Sequence, residues 1–412
     1  MRGLLGIAAM LLLAWALSEN RWRVPLRVVV AGVLLQFVVA LALLKFPPVA
    51  KAFLLLNDGV EALQKATDAG TGFVFGYLGG GPLPFAETHP GASFIFAFRA
   101  LPLVLVISAL ATVLFYWGVL QRIVQVFAWV LRRTVGVGGP LGLGAVVHIF
   151  VGFIEAPLLI RPYLLSLERG ELFALMSTGM AGIAGTVMVI YAAILGPVIP
   201  DALGHILVAA VISTPAALAV AALMVPFRPD PREAAELRLD NPPVSTMDAI
   251  AKGTGDGIGY LLSIAAMLIV MITLVSLVNA VLGLLPHIGG DAITLQRLFA
   301  YAFRPVMWLI GVPTDEIATA AQLMGTKTVL NEFVAYVDFA KVPTDQLGAH
   351  TRLIMTYALC GFANFGSLGI LIGGMGAMVP ERRPEIVSLG LRSILSGTMA
   401  GCMSGAVVGL LV

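Results

Sequence analysis

The chain has 412 residues, of which 59% are hydrophobic and only 12% are charged. A soluble domain carries about 25% charged residues, so this composition excludes an ordinary soluble protein and indicates a membrane protein. The net charge of +2 is small, which argues against nucleic acid as a partner. Cys360 and Cys402 lie in apolar segments without a CxxC or Cys/His cluster, so we expect neither a disulfide framework nor a metal site.

Eight apolar segments are long enough to cross a hydrocarbon core of about 30 Å. In chain order they cover residues 3–18, 24–46, 94–118, 172–199, 202–226, 258–285, 347–379 and 386–412. The first segment also resembles a signal peptide that ends in a small-residue cleavage site, Ala14-Trp15-Ala16. However, Arg21, Arg23 and Arg27 follow it at once and favour a retained spanning helix, because basic residues hold their flank in the cytoplasm.

Two further apolar stretches, 137–167 and 312–342, are interrupted by helix breakers and charges. Glu155 lies in the first stretch, and Lys327 and Glu332 lie in the second. A lipid-facing helix does not carry such residues, whereas a re-entrant hairpin buried in protein can. The sequence therefore predicts two re-entrant hairpins.

The basic residues between segments predict the topology. If the arginine-rich loops are cytoplasmic, the eight spans place both termini on the outer face, and the hairpins enter from opposite sides. Residues 121–133 predict an amphipathic helix on the inner surface, with 294–310 as its outer counterpart. We expect a multi-pass protein of the bacterial inner membrane.

These elements predict an all-α integral membrane fold with eight transmembrane helices, two opposed re-entrant hairpins in an inverted repeat, and interfacial helices. The predicted divisions are N-terminal transmembrane helices and outer loop (1–93), scaffold helix and interfacial helix (94–136), first transport repeat (137–226), cytoplasmic loop with scaffold and outer interfacial helices (227–311), and second transport repeat (312–412).

The two halves show internal symmetry. Glu155 and Glu332 each lie in an interrupted stretch, and each is followed by a glycine-broken span. Corresponding interruptions in two halves that enter from opposite faces indicate a transporter site at an inverted repeat. An ionised side chain at this depth costs about 2.5–3.5 kcal/mol on insertion scales, so it normally marks a substrate or ion pathway. The alternative is a structural hydrogen-bond anchor that closes each hairpin.

Three other polar residues are candidates. Asn364 and Ser367 lie in a glycine-rich interruption that can unwind a helix and, with Glu332, clamp vicinal hydroxyls. The alternative is a kink with self-capping polar groups. His148 precedes Glu155 by two helical turns and is either a buried packing residue or a participant in ion coupling, since histidine titrates near neutrality.

Catalytic templates are missing from the sequence, which contains no HExxH, GxSxG or Walker glycine-lysine loop. We therefore expect a transporter that is not an enzyme and needs no cofactor. An intramembrane enzyme is the alternative from a different class, and turnover of substrate would reveal it.

The strings GFIEAPLLIRPY (152–163), GTKTVLNEFVAY (325–336) and TYALCGFANFGS (356–367) resemble the concentrative nucleoside transporter family. The resemblance implies a secondary active transporter that imports nucleosides by cation symport. It also implies a homotrimer built on a scaffold with moving transport domains. The family's base-binding positions fall on Gly152, Phe153, Ile154 and Val187 with Glu155 nearby, and its ribose-binding positions fall on Glu332, Asn364 and Ser367.

Two departures from the family pattern predict specificity. The family's Gly-Gln-Ser/Thr-Glu tetrad is here Gly152-Phe153-Ile154-Glu155, so direct hydrogen bonds to a uracil edge are lost and purine nucleosides are favoured. The family's asparagine and serine sodium ligands align with His148 and Gly182, so both side-chain oxygens are missing. The resemblance therefore predicts proton coupling, with Glu155 as the leading carrier and His148 second. A sodium-coupled or pyrimidine-preferring symporter is the alternative.

Overall fold

The computed structural model describes residues 2–86, 93–150, 152–228, 242–287 and 292–412, and every regular element in these ranges is a helix. In chain order the helices are α1 Arg2–Ala16, α2 Leu26–Lys45, α3 Pro47–Phe75, α4 Phe96–Arg99, α5 Leu103–Tyr116, α6 Val119–Thr134, α7 Gly139–Val147, α8 Glu155–Leu159, α9 Arg169–Ala181, α10 Gly185–Leu195, α11 Ala202–Met224, α12 Thr246–Leu282, α13 Leu295–Ile310, α14 Ile317–Val329, α15 Glu332–Lys341, α16 Ala349–Leu359, α17 Phe365–Met378 and α18 Arg383–Leu411.

Each of the eight predicted spans coincides with a helix or with a helix pair. Among the described residues, five helices are long and apolar enough to cross a membrane: Leu26–Lys45, Phe96–Tyr116, Ala202–Met224, Thr246–Leu282 and Pro380–Leu411. α12 has 37 residues and is therefore about 55 Å long, more than the hydrocarbon core needs. Its first turns carry charged residues and extend the helix toward the polar loop before it.

Two predicted spans are broken, as their glycines indicate. The stretch 172–199 forms α9 and α10, which are separated at Gly182, and the stretch 347–379 forms α16 and α17, which are separated at Gly361. Each interrupted stretch likewise forms two short helices in contact, α7 with α8 and α14 with α15. The prediction of helix breaks at these positions is confirmed.

Helix α11 lies at the centre of the bundle. It is apolar on all faces, it is buried along nearly its whole length, and it packs against α2, α9, α10 and α18. Small residues allow this close packing: a Cβ at Gly32 of α2 would lie 2.7 Å from the carbonyl oxygen of Pro215 in α11. Helix α12 packs instead against α5 and exposes large apolar side chains such as Leu262 and Ile269.

Both predicted amphipathic segments are helices, α6 and α13. The Thr294 side chain accepts a hydrogen bond from the Arg297 backbone and so caps α13 at its start. Residues 47–75 fall in the stretch predicted as an outer loop, yet they form helix α3. Polar residues recur along α3, so it contains no apolar run of spanning length. The predicted cytoplasmic loop is described only in part, because residues 229–241 lie outside the described ranges.

The arginine-rich loops meet at one end of the bundle. Glu19, between α1 and α2, lies 3.0 Å from Arg169 at the start of α9 and 2.6 Å from Arg392 in α18. Arg382 donates to the carbonyl oxygens of Leu164 and Leu167 at 2.8 and 2.7 Å. These contacts place three of the predicted cytoplasmic loops on the same side of the molecule.

Candidate functional site

The two broken spans touch each other at their breaks. The backbone nitrogen of Phe362 donates to the carbonyl oxygen of Gly182 at 3.1 Å. Gly361 has φ +155°, and a Cβ there would lie 2.6 Å from the carbonyl oxygen of Ala181. Only glycine allows this conformation and this approach. The crossing therefore brings unwound backbone from both broken spans to one place in the interior.

A cavity of about 290 Å³ lies beside this crossing. Its volume is at the lower end of the range of pockets that hold small molecules. The Glu155 backbone begins α8, but its side chain lies outside the described part of the structure. The other seven predicted binding residues all line the cavity: Gly152, Phe153, Ile154, Val187, Glu332, Asn364 and Ser367.

Three polar side chains of the cavity form a hydrogen-bonded group, hereafter the polar cluster: Tyr191, Glu332 and Asn364. The Tyr191 hydroxyl donates to Glu332 Oε1 at 2.6 Å, and Asn364 Nδ2 donates to Glu332 Oε2 at 2.7 Å. Glu332 is 4% exposed and Asn364 is fully buried. Because each carboxylate oxygen accepts one of these bonds, the buried carboxylate has a fixed orientation.

Local sequence positions the cluster. Asn364 Oδ1 accepts from the backbone nitrogen of Ser367 at 2.7 Å and so caps α17. Asn331 Oδ1 accepts from the Val334 nitrogen at 2.9 Å and caps α15, whose first residue is Glu332. Asparagine is among the preferred N-cap residues. Both caps place the start of a helix at the cavity wall. Asn364 therefore makes both contacts that the sequence left open: it caps its own helix, and it donates a hydrogen bond to Glu332.

Phe153, Ile154 and Val187 form an apolar wall of the same cavity. The rings of Phe153 and Phe362 have centroids 4.8 Å apart at an angle of 45°. Two glycines make room for the wall: a Cβ at Gly179 would lie 3.1 Å from Phe153 Cβ, and one at Gly374 would lie 2.8 Å from Ile154 Cδ1. The wall offers dispersion contacts and ring faces to a ligand.

The sequence did not single out the residues that complete the cavity. Tyr191 lies four residues after Val187, on the same face of α10, and this spacing was the available signal. Phe333, next to Glu332, packs against Phe96 of α4 with ring centroids 4.4 Å apart. Helix α12 contributes Tyr260, among others, to the lining. These contacts depend on tertiary packing, which no local pattern encodes.

His148 and Gly182, the two predicted ion-coupling positions beside Glu155, lie against each other. A Cβ at Gly182 would lie 2.6 Å from His148 Nε2, so the imidazole occupies the space that a side chain at position 182 would need. His148 Nδ1 lies 3.3 Å from the Ala145 carbonyl oxygen, whereas Nε2 has no hydrogen-bond partner among the described residues. His148 is 2% exposed. Its ring therefore packs in the interior and also carries a buried nitrogen without a hydrogen-bond partner among the described residues.

Lys327 is fully buried near the second break. Its ammonium donates to the carbonyl oxygen of Ala358 at 2.9 Å, in the last turn of α16. A cation is favourable at the C-terminal end of a helix because it satisfies a free carbonyl and opposes the helix dipole. Lys327 therefore stabilises the end of the broken helix beside the cavity.

Three family models together match nearly the whole chain. The model "Na+ dependent nucleoside transporter N-terminus" matches residues 5–78, "Nucleoside recognition" matches 97–198, and "Na+ dependent nucleoside transporter C-terminus" matches 205–409. The matches include the helix breaks and, apart from Phe96, the cavity residues described above.

Individual relatives match over nearly their full length. An uncharacterized transporter of Haemophilus influenzae is 36% identical over 99% of this chain and 97% of the relative. The putative nucleoside permease NupX of Escherichia coli is 33% identical over 100% of this chain and 99% of the relative. A solved structure of CNTnw in an inward-facing substrate-bound state superposes with a TM-score of 0.88 at 32% identity, covering 100% of this chain and 98% of that one.

Relatives and fold are those of multi-pass membrane transporters and not of enzymes. This chain therefore belongs to the concentrative nucleoside transporter family.

Proposed function

We propose that the protein imports nucleosides by proton symport and favours purine nucleosides. The observation that carries the proposal is the composition of one cavity, which combines the polar cluster with the apolar wall. A carboxylate and an amide suit the hydroxyls of a sugar, and ring faces suit a flat base. We assign Glu332, Asn364 and Ser367 to the sugar, and Gly152, Phe153, Ile154 and Val187 to the base with Glu155 nearby.

The preference for purines follows from the apolar wall. Phe153 and Ile154 offer no side-chain hydrogen bonds to a base edge, while Phe153 and Phe362 present ring faces. A larger fused ring gains more dispersion and stacking contact with such a wall than a pyrimidine does. The alternative is a pyrimidine preference, which would require hydrogen bonds from another part of the cavity.

Proton coupling is supported by the pair His148 and Gly182. Hard cations are bound by several oxygen ligands, and neither side chain supplies an oxygen. The backbone oxygen of Gly182 already accepts a hydrogen bond from Phe362, and the imidazole fills the adjacent space. We assign proton transfer to Glu155 first and His148 second. Two of the three matching family models name sodium, so sodium coupling is the alternative that the experiment must separate.

The same resemblance supports eight spans, two re-entrant hairpins and a homotrimer in the bacterial inner membrane. The helix pairs α7–α8 and α14–α15 are the proposed hairpins, and the exposed apolar face of α12 suits contact with lipid or with a second copy.

Uptake into proteoliposomes under imposed gradients tests the proposal. We expect an inward proton gradient without sodium to drive accumulation of labelled adenosine, and unlabelled inosine to compete better than uridine. Uptake that follows added sodium at fixed pH would contradict proton coupling. Uridine competing best would contradict the purine preference, and a lack of uptake of any nucleoside would contradict the function itself.

A further inference from the structure

Tyr191 links the two repeats through the polar cluster. It lies on α10, after the first helix break, whereas Glu332 and Asn364 belong to the second repeat. Its hydroxyl lies 2.6 Å from Glu332 Oε1 and is buried with it. Among the described residues, this bond joins α10 to the carboxylate at the start of α15.

The hydrogen bonds to Glu332 determine how many acceptor sites of its carboxylate remain for a ligand. An ionised carboxylate has about four lone-pair sites. Tyr191 occupies one site on Oε1 and Asn364 occupies one on Oε2. The backbone N–H of Glu332 also bonds to its own carboxylate, so about one site remains for a ligand in the cavity, and one of two vicinal hydroxyls can fill it.

The Tyr191 ring is fixed independently of its hydroxyl. Its centroid lies 5.0 Å from that of Tyr336 and 6.2 Å from that of Phe333. The hydroxyl of Tyr336 donates to the Thr356 carbonyl oxygen at 2.8 Å. Tyr191 and Tyr336 are thus two buried tyrosines in one aromatic group, and only the bond of Tyr191 is directed to Glu332 in the cavity.

We propose that Tyr191 is a positioning residue that orients the Glu332 carboxylate and thereby sets the discrimination between nucleosides with and without vicinal sugar hydroxyls. This inference rests on the proposed function, because it assigns the sugar to Glu332. With the hydroxyl of Tyr191 removed, the carboxylate keeps its side-chain bond from Asn364 but loses the one from Tyr191, and it must be ordered further when the ligand binds, which costs affinity for the hydroxylated sugar.

The test compares adenosine with 2′,3′-dideoxyadenosine in binding to the purified full-length protein. For Tyr191→Phe, which keeps the ring packing, we expect the preference for adenosine over the dideoxy analogue to fall about tenfold, the usual scale for a bond to a charged group. Tyr336→Phe is the matched control, and it is expected to keep the wild-type ratio.

Two further variants separate positioning from packing. p-Aminophenylalanine at position 191 keeps an N–H donor and is expected to restore the ratio, even if the phenylalanine variant proves difficult to fold. In a Glu332→Gln background, Tyr191→Phe is expected to lower the ratio no further. An unchanged ratio in Tyr191→Phe, an equal loss in Tyr336→Phe, or additive losses with Glu332→Gln would overturn the inference. Failure of the wild-type protein to bind adenosine would overturn the proposed function instead.

Discussion

The His148 imidazole occupies the space beside Gly182, so the side chain that each position can accept depends on the residue at the other. The imidazole lies where a side chain at position 182 would be, at a distance of 2.6 Å from its Cβ. Such a distance is incompatible with any side chain unless the ring moves, and the ring is buried on all sides. We therefore expect substitutions at the two positions to be strongly non-additive.

Gly182→Ser tests this pairing. Alone, it is expected to lower the melting temperature and to abolish uptake, because the serine side chain overlaps the imidazole. Combined with His148→Asn it is expected to recover the fold, and the two restored oxygens are expected to make uptake sodium-stimulated. Ser177→Gly in α9, the helix that ends just before Gly182, serves as a control for a substitution that adds no volume. Additive effects of the two substitutions, measured by thermal unfolding, would contradict the packing argument.

The apolar wall gives a second residue-scale prediction. Phe153→Gln with Ile154→Thr restores polar side chains at both positions and is expected to raise the affinity for uridine relative to adenosine about tenfold, the scale of one or two hydrogen bonds. Competition uptake with the two nucleosides measures the ratio. Val187→Ile, which keeps the wall apolar, is the control. A double variant that still prefers adenosine to the same degree would show that the wall does not determine base choice.

Side-chain chemistry, together with the family resemblance, identified seven of the residues that line the cavity. Glu332 and Asn364 stand out because polar groups are costly in an apolar segment. Tyr191 does not, because a tyrosine in an apolar helix is common and its partner lies 141 residues away in the chain. The family resemblance assigned His148 and Gly182 to one ion site, but the overlap of the imidazole with the space of a side chain at position 182 depends on tertiary packing and is not encoded in the local sequence.

At the scale of elements, the ion-pair cluster around Glu19 joins the loop between α1 and α2 to α9 and α18. Hydrogen bonding from Arg169, together with the charges of Arg169 and Arg392, lowers the pKa of Glu19, although partial burial opposes this shift. A lowered pKa means that the carboxylate stabilises the fold above its ordinary pKa of 4.5 and loses this effect as the pH falls through the folded-state value.

Glu19→Gln is accordingly expected to lower the melting temperature at pH 7 by only a few degrees, because exposed ion pairs contribute about 0–1 kcal/mol. The difference from the wild type is expected to shrink as the pH is lowered toward the acid range. Glu381→Gln, at another exposed glutamate near the same end, is the control. A difference that persists unchanged in acid, followed by thermal unfolding, would show that the charge of Glu19 is not what stabilises this end.

The helical elements were predictable where apolar length or glycine breaks are decisive. The breaks at Gly182 and Gly361 were predictable because glycines interrupt both apolar segments. The backbone groups that the breaks leave free then pair with each other, as the hydrogen bond from Phe362 to Gly182 shows. Helix α3 was not predicted, because its polar residues interrupt any apolar run. Hydropathy identifies helices that are apolar enough to span a membrane. It does not identify helices that are stabilised by local propensity and by contacts with neighbouring protein.

At the scale of the whole molecule, the cavity lies where α10 and the segment between α7 and α8 meet the starts of α15 and α17, and α4 and α12 close its remaining side. Helix α12 packs chiefly on α5, outside the bundle centred on α11. We propose that this division lets the helices that carry the polar cluster and the apolar wall move against α5 and α12 without breaking the polar cluster, as alternating access requires.

The most direct test of the central claim is calorimetric binding of adenosine, adenine and ribose to the purified protein. We expect adenosine to bind, adenine to bind at least about tenfold more weakly because the polar cluster is left without its hydroxyls, and Glu332→Gln to remove this advantage. Equal binding of adenine and adenosine, or an advantage that survives Glu332→Gln, would contradict the claim that this cavity recognises a nucleoside through its sugar.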